Sequence, residues 1–340
     1  MEHEAWIVPL KLRHPFGISR GTASELPTVL LRLGSGPHLG LGEAAPVRYL
    51  GHRAPDLLAD LSALCTRLPE PDPGDMSRGS PPAPPPVRAA LDVALWDRSA
   101  RAADRTLRAE LDLRSPPVLA TTASQTSYTI ALDTLEAMAE RAAEASHLPQ
   151  LKLKLGRDPA FDREALLRVA AAAPHARLRV DANGGWTFAE ARTLLPLFHA
   201  HGVEFIEQPL ARGQLAALAR CGAASPSALR RRGRQGPESL LALRVCVDGI
   251  NIKLMKCGGI SPALAAIATA RREGWRVLLG CASSRIGLAA AASLAGRVDE
   301  LDLDAHMLTL DDPVPPGSQR ELSPGLPAWP GPGLGLPTRW

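Results

Sequence analysis

The sequence predicts an α/β protein in which a (β/α)₈ TIM-type barrel follows an N-terminal α+β domain. From about residue 125 onward, short β-rich runs alternate with alanine-rich helical segments about every 25 residues. Seven such runs are visible, and the gap of about 45 residues between Val203 and Asp248 has room for an eighth strand near 225–231. A doubly wound sheet shows the same alternation, but no Gly-rich phosphate loop follows the first strand. The barrel is therefore the preferred architecture.

The first part of the chain has a different pattern, with strands preceding helices. Apolar or alternating runs separated by Gly and Ser turns predict strands at Ala5–Leu12, Pro27–Leu33 and His38–Ala45. Helices are predicted over 53–67 and 86–102. The intervening residues 69–86 are dense in proline and predict a loop or locally disordered segment.

The barrel elements follow in a regular order. The predicted strands are Thr126–Leu132, Gln150–Leu155, Arg177–Ala182, Val203–Glu207, Asp248–Leu254, Trp275–Cys281 and Glu300–Asp304. The predicted helices are 133–146, 160–173, 188–201, 261–273 and 286–296. We expect an N-terminal domain at 1–115, the barrel at 116–310 and a C-terminal tail at 311–340 that returns to the N-terminal domain.

Composition excludes several classes of function. The formal net charge is +4 and the arginines are spread among acids, which argues against a nucleic-acid surface. No apolar run approaches the length of a membrane span, and the N-terminus lacks the pattern of a signal peptide. The five cysteines are an odd number without paired metal spacing, which fits free thiols in the cytoplasm. A homo-oligomer is left open.

Lysine is rare and concentrated in this chain. The 39 Lys plus Arg residues include only five lysines, and four of these fall in the short runs 151–156 and 252–259. Arginine stays protonated in proteins, whereas a buried lysine can lose its proton and act as a base. The clustering therefore indicates two places where the protein needs an ammonium or amine group.

Charged residues occur at the ends of successive predicted strands. They are Lys152 and Lys154 on the second strand, Asp181 on the third, Glu207 on the fourth, Lys253 on the sixth, and Asp302 and Asp304 on the eighth. In such a barrel the active site lies at these ends. Carboxylates such as Asp181 and Glu207 suit Mg²⁺, which stabilises an enediolate formed when a substrate carboxylate loses its α-proton. Lysines on strands two and six lie on opposite sides of the mouth, so one removes a proton from one face while the other returns it to the opposite face.

At this point the sequence resembles the enolase superfamily, and within it the dipeptide epimerases of the L-Ala-D/L-Glu epimerase type in the mandelate racemase/muconate lactonizing enzyme group. The strings that carry the resemblance are KLKLG (152–156), VDANGGW (180–186), FIEQPL (205–210) and DGINIKLMKCGGI (248–260). GEAAP (42–46) and RAALDVALWD (88–97) resemble the enolase-like N-terminal capping domain of that superfamily.

The resemblance implies a role for each residue. It implies that Lys154 and Lys253 are the acid/base pair and that Lys152 assists Lys154. It implies a Mg²⁺ cofactor held by Asp181 and Glu207 with Asn183 nearby, and a dipeptide as the small-molecule substrate. The Asp302 and Asp304 pair matches the feature that binds the α-ammonium group of the dipeptide. Lys256 is expected to have a structural role.

The sequence departs from this family pattern on the fifth strand. The third metal ligand is expected near Arg231, where the chain reads SPSALRRRGR (225–234) without any acid. A hypothesis is that this stretch is translated out of frame, since CGC-CGA-CGA-GGC read one nucleotide later gives Ala-Asp-Glu. The nucleotide sequence tests it, and the idea fails if no one-base shift restores an acid.

A second segment also departs from the family pattern, and the first loop contains one further candidate residue. The segment after the seventh strand, 280–287, has no acid where the relatives have a glutamate. In the first loop, at 14–22, Arg20 is a candidate contact for a substrate carboxylate.

The expected function is therefore Mg²⁺-dependent 1,1-proton transfer at the α-carbon of the C-terminal residue of a dipeptide. Two alternatives remain. One is another superfamily reaction, such as N-acylamino-acid racemisation or a muconate-cycloisomerase-like step. The other is a metal-impaired, non-catalytic relic.

Overall fold

The computed structural model describes residues 2–36, 39–67, 82–117, 125–211, 214, 227–231, 247–281, 283–314, 325–326 and 329–338. It contains a three-stranded antiparallel sheet and an eight-stranded parallel sheet, in the chain order that the sequence predicts. The strands of the first sheet are β1 (His3–Ile18), β2 (Gly21–Leu33) and β3 (Gly40–Ala44). The strands of the second are β4 (Tyr128–Ile130), β5 (Gln150–Lys154), β6 (Arg177–Asp181), β7 (Phe205–Glu207), β8 (Ser227–Arg231), β9 (Gly249–Ile252), β10 (Arg276–Gly280) and β11 (Glu300–Asp302).

The seven predicted helices are present, and three further short α-helices in the described part of the chain, Leu107–Arg114, Leu254–Cys257 and Ala305–Leu308, were not predicted. The N-terminal domain has α1 (Ala54–Arg67), α2 (Pro85–Ala102) and α3 (Leu107–Arg114). The barrel has α4 (Leu135–Glu144), α5 (Pro159–Ala172), α6 (Phe188–Ala200), α7 (Leu254–Cys257), α8 (Ile260–Arg272), α9 (Arg285–Ala292) and α10 (Ala305–Leu308). Several begin at side-chain caps; Thr187, for example, forms a capping box with Glu190. None of the helices in the described ranges is long and apolar enough to cross a membrane.

Strand β8, which lies in the gap between the visible β-rich runs, completes the barrel. Ser227–Arg231 pairs in parallel with β7 on one side and β9 on the other, so the eighth strand predicted near 225–231 is confirmed. At the seam, the backbone N–H of Ser127 donates to the carbonyl of Leu301 at 3.2 Å, and Thr126 forms a parallel bridge with Leu301. The remainder of the arginine run, and most of the proline-rich segment 69–86, lie outside the described residues.

All seven predicted barrel strands are shorter in the structure than in the sequence pattern, and the largest differences are at Thr126–Leu132 and Asp248–Leu254. The strand predicted at Asp248–Leu254 stops at Ile252, because the helical turn α7 starts immediately after Lys253. The strand predicted at Thr126–Leu132 is reduced to Tyr128–Ile130, and within it the N–H of Thr129 donates to the carboxylate of Asp304 at 2.8 Å. Strand β9 therefore ends directly before one candidate site residue, and β4 is bound at Thr129 by another.

Alternation along the barrel strands separates the packed core from the site. On β5, Leu151 and Leu153 belong to the main hydrophobic core between sheet and helices, while Lys152 and Lys154 are on the opposite, inward face. The inward layer at the closed end contains Arg179, which is fully buried. It donates to Glu204, Glu300 and the hydroxyl of Ser127. At this end of the barrel the buried arginine is therefore paired with carboxylates. The charged groups of the candidate site lie at the opposite, open end.

A buried carboxylate from the motif RAALDVALWD (88–97) joins the N-terminal domain to the barrel. Asp92 of α2 accepts hydrogen bonds from the N–H and hydroxyl of Ser261 at the start of α8. Burial raises the pKa of Asp92 to about 7. Gly259 has a φ of +119°, and a methyl group there would lie 2.4 Å from Asp92 Oδ2, so a glycine is required for this approach.

The C-terminal residues that the structure describes lie against the N-terminal domain. The N–H of Leu107 donates to the carbonyl of Gly333 at 2.6 Å, and the N–H of Leu334 donates to Asp97 at 2.6 Å. Arg101 donates to the carbonyl of Leu336 at 2.9 Å. Asp97 also accepts from the N–H of Leu41, so one buried carboxylate holds two distant segments.

Candidate active site

A cavity of about 420 Å³ opens at the carboxyl ends of the barrel strands, beneath the β1–β2 hairpin. Its size falls within the range of about 300–1,000 Å³ that is typical of small-molecule sites. The side chains that line it from the N-terminal domain are mostly apolar: Leu12, Phe16, Ile18, Arg20, Leu26, Val47 and Tyr49. From the barrel it is lined by Lys154, Lys253, Met255, Gly280, Asp302, Asp304 and Leu308, among others.

The two candidate acid/base lysines face each other across this cavity. Lys154 ends β5 and Lys253 follows β9, and these strands are four apart in a closed sheet of eight. Lys154 Nζ donates to Asp181 Oδ2 at 2.9 Å. The side chain of Lys253 passes over Gly280, where an added methyl group would lie 2.8 Å from its Cε. Strand β10 therefore leaves room for Lys253 because it ends in glycine.

Lys152 lies beneath the cavity and connects three carboxylates. Its Nζ is 2.5 Å from Glu207 Oε2, 2.7 Å from Asp302 Oδ2 and 3.9 Å from Asp181 Oδ2. All four side chains are almost completely buried. A single ammonium thus contacts acids from three different strands, and this cross-barrel contact is what the sequence alone does not reveal.

Asp302 and Asp304 have different electrostatic environments although they are two residues apart. Burial acts to raise the pKa of Asp302, but the ammonium groups of Lys152, Lys154 and Lys253 hold it below its usual range. Burial and the neighbouring Asp302 carboxylate raise the pKa of Asp304 to about 6. The pair therefore carries between one and two negative charges near neutral pH.

Asp181 and Glu207 provide oxygen donors for a divalent cation. They are register partners on β6 and β7, fully buried and on the inward face. The ammonium of Lys152 already contacts both, which shows that this position accommodates positive charge. Carboxylates with further oxygens from water or substrate suit Mg²⁺, so the donor set fits the metal.

The described ranges contain no group of three or more His, Cys, Asp or Glu residues arranged to hold a metal. Arg231, where the third ligand is expected, is in register with Asn251, and positions 227–231 contain no acid. The out-of-frame hypothesis for this stretch stays a prediction.

The remaining predicted residues lie around this centre. Arg20 lines the cavity; it donates to the backbone carbonyl of Asn183 at 2.6 Å and stacks 5.0 Å from the Tyr49 ring centroid. The Asn183 side chain is fully buried and does not border the cavity, and its N–H donates to Asp181 Oδ1 at 2.9 Å. Lys256 lies 5.0 Å from the centroid of the same Tyr49 ring, in the cavity wall.

Sequence reasoning gave no role to two residues that the structure places at the site. Glu43 of the N-terminal domain binds the segment after β10, accepting from the N–H groups of Ser284 and Gly287 and from the Ser284 hydroxyl. Burial raises the pKa of Glu43 despite these bonds. Asn251 is the second. Its position two residues before Lys253 was the available signal, because side chains two apart share a face of a strand.

Comparison with known proteins agrees with this geometry. The family described as Enolase C-terminal domain-like matches residues 134–339. A hydrophobic dipeptide epimerase from Roseobacter litoralis is 36% identical over 341 residues, covering 96% of each chain. A hydrophobic dipeptide epimerase from Flavobacteria bacterium (strain MS024-2A) is 33% identical over 324 residues, covering 90% of each chain.

Two solved structures have the same fold over nearly the whole chain. A dipeptide epimerase from Enterococcus faecalis V583, complexed with Mg and L-Leu-L-Tyr, has a TM-score of 0.90 with 25% identity and 98% coverage of both chains. An enolase family member from Agrobacterium tumefaciens with homology to dipeptide epimerases, with bound sodium and L-Ala-L-Glu, has a TM-score of 0.84 with 31% identity, covering 96% of this chain and 98% of its own.

Proposed function

The chain belongs to the Enolase C-terminal domain-like family of the enolase superfamily, and on this premise we propose that it is a Mg²⁺-dependent dipeptide epimerase. The observation that carries the proposal is the pair of lysines, Lys154 and Lys253, facing each other across one cavity. An acid pair that matches a substrate ammonium lies in the same wall. Together these groups fit a substrate with a free amino group and an inverting α-carbon.

The reaction assigned to these residues is a proton transfer between two faces of one carbon. One lysine, as the neutral amine, takes the α-proton of the C-terminal residue, and the electron pair of the C–H bond passes into the substrate carboxylate. The opposite lysine, as the ammonium, then delivers a proton to the other face, so the configuration inverts. Mg²⁺, when bound by Asp181 and Glu207, supplies positive charge that stabilises the carboxylate as it gains electron density.

The other site residues bind and orient the substrate. We assign Asp302 and Asp304 to the α-ammonium group of the dipeptide, as charge-assisted hydrogen-bond acceptors. Lys152 holds Glu207 and Asp302 in place, and its ammonium lowers the pKa of Asp302. The hairpin residues Phe16 and Arg20 cover the cavity and exclude water.

The apolar walls support dipeptides with apolar side chains as the substrate class. Leu26, Val47 and Met255 line the cavity, and the relatives from Roseobacter litoralis and Flavobacteria bacterium are named hydrophobic dipeptide epimerases. Arg20, the candidate contact for an acidic side chain, already binds the Asn183 carbonyl and the Tyr49 ring. We therefore propose L-Ala-L-Leu-like substrates in preference to L-Ala-L-Glu.

The test is α-hydrogen exchange in heavy water with Mg²⁺, followed by NMR. We expect L-Ala-L-Leu to exchange and epimerise, and N-acetyl-L-leucine, which lacks the ammonium, to react about 10- to 100-fold more slowly in kcat/KM. Equal rates for the two compounds would favour N-acylamino-acid racemisation. No Mg²⁺-dependent exchange with any dipeptide from folded protein would leave the non-catalytic alternative.

The raised pKa of Asp304 predicts how substrate binding depends on pH. Asp304 has a pKa of about 6 and faces Asp302 and Lys154, so below pH 6 it is protonated and loses its attraction for the substrate ammonium. We expect KM for the dipeptide to fall about tenfold as pH rises from 5 to 7, and to level off above. Steady-state kinetics over this range measure it. In Asp304→Asn, KM is high throughout and this inflection is absent; an unchanged inflection in that variant would contradict the assignment.

A further inference from the structure

Asn251 bridges the space between a candidate metal ligand and a candidate acid/base lysine. It lies on β9 two residues before Lys253, and its side chain is fully buried on the inward face of the barrel. Its Nδ2 donates to Glu207 Oε1 at 2.9 Å. Glu207 ends β7, so this bond spans the intervening strand β8.

The other end of the Asn251 amide has no partner in the described part of the chain, although it is completely buried. A methyl group placed on Gly280 would lie 2.9 Å from Asn251 Oδ1 and 3.2 Å from Lys253 Nζ. The amide oxygen and the lysine nitrogen therefore border the same small gap beside Gly280. Leaving a buried acceptor without a hydrogen bond costs free energy. A hydrogen bond from a donor in this gap would therefore be favourable for Asn251 Oδ1.

We propose that Asn251 is a positioning residue for Lys253. Glu207 anchors its Nδ2 and fixes the direction of the amide. Its Oδ1 accepts an N–H of Lys253 when the amine of that lysine has taken the substrate α-proton and become an ammonium. The proton moves from Cα to Nζ, the C–H electron pair stays with the substrate, and the amide oxygen stabilises the new N–H donor. This inference rests on the proposed function and deepens it.

The role is specific to one half of the reaction. Asn251 contacts the side of the mouth that Lys253 occupies, whereas Lys154 is held by Asp181 on the opposite strand. Losing the amide oxygen therefore weakens proton removal by Lys253 alone, whereas losing the Nδ2 bond to Glu207 acts on both halves, so the ratio of the two exchange rates reports the role of the oxygen. A merely structural role, or an effect through Glu207, would slow both halves together.

The experiment separates the halves by measuring α-deuterium uptake from each dipeptide epimer in single-lysine backgrounds. In Lys154→Ala, the remaining exchange passes through Lys253, and adding Asn251→Ala is expected to slow it about 10- to 100-fold. In Lys253→Ala, exchange passes through Lys154, and adding Asn251→Ala, which also removes the Nδ2 bond to Glu207, is expected to slow it by a factor at least about fivefold smaller than in Lys154→Ala. Asn251→Ser, which is too short to reach Lys253, is expected to behave as alanine does and serves if the alanine variant unfolds.

Gln150→Ala is the matched control. Gln150 is also a buried amide at an inward position of a barrel strand, and its Oε1 also lacks a partner in the described residues. It lies four residues before Lys154, so its loss is expected to leave the ratio of the two exchange rates unchanged. Equal slowing by Asn251→Ala in both backgrounds, with an active unmodified chain, overturns this inference alone. No exchange in the unmodified chain overturns the proposed function and the inference with it.

Discussion

Replacing Lys253 by alanine is expected to lower the epimerisation rate by at least about 10³-fold while leaving α-proton exchange from one epimer measurable. Epimerisation needs a proton carrier on each face of the α-carbon, and Lys154 and Lys253 come from strands on opposite sides of the barrel. With one lysine absent, the other still removes and returns a proton on its own face. Exchange then occurs without inversion.

Lys154→Ala is the complementary variant. The two variants together give a stronger test than either one alone. Lys154→Ala is expected to abolish epimerisation equally and to leave exchange from the other epimer. NMR detection of deuterium uptake by each separate epimer measures this. Lys11→Ala is the control, since Lys11 is exposed and pairs with Asp311 at the surface, and its kcat is expected to be unchanged. If both lysine variants lost exchange from the same epimer, the opposed arrangement would not be the mechanism.

The second large effect is on stability, and it comes from Lys152. We expect Lys152→Met to lower the free energy of unfolding by about 3–5 kcal/mol, because it leaves buried Glu207 and Asp302 without their shared counter-charge. Methionine has a similar length, so the loss is mainly one of charge. Urea denaturation followed by far-UV circular dichroism measures it.

A matched surface change separates this effect from the general loss of an ion pair. Arg168 bonds Glu136 and Glu164 at the surface, where water screens the charges, so Arg168→Met is expected to leave the free energy of unfolding nearly unchanged. Added Mg²⁺ is expected to restore more stability to Lys152→Met than to the unmodified chain, since a cation that binds only the folded state stabilises it. A loss below about 1 kcal/mol for Lys152→Met would mean that the carboxylates are not held as buried anions.

The sequence was sufficient for the barrel and for bringing its charged residues to one rim, because both depend on local rules. Period-two alternation placed Lys152 and Lys154 on one face, and the ends of parallel strands meet at one rim. The same reasoning located the eighth strand near 225–231 from spacing alone, and the structure confirms it at Ser227–Arg231.

The parts that the sequence did not reveal depend on distances across the barrel. That Lys152 assists Lys154 stays a prediction, and the sequence did not reveal that its ammonium bridges Glu207 and Asp302 from distant strands. Asn251 received no role because the gap that it shares with Lys253 exists only when Gly280 is beside it. Such contacts depend on the stagger of the closed sheet, which no local pattern encodes.

The buried bond network of Glu43 constrains how this protein can be recombined with its relatives. Glu43 comes from the first fifty residues, yet it binds the N–H groups of Ser284 and Gly287 beside the cavity. A chimaera that takes its first hundred residues from one homologue and its barrel from another keeps these hydrogen bonds only if both halves preserve the partners. Because the Thr28 hydroxyl of β2 also donates to Glu43 at 2.7 Å, we expect a substrate preference engineered through the β1–β2 hairpin to transfer between homologues only together with the segment after β10.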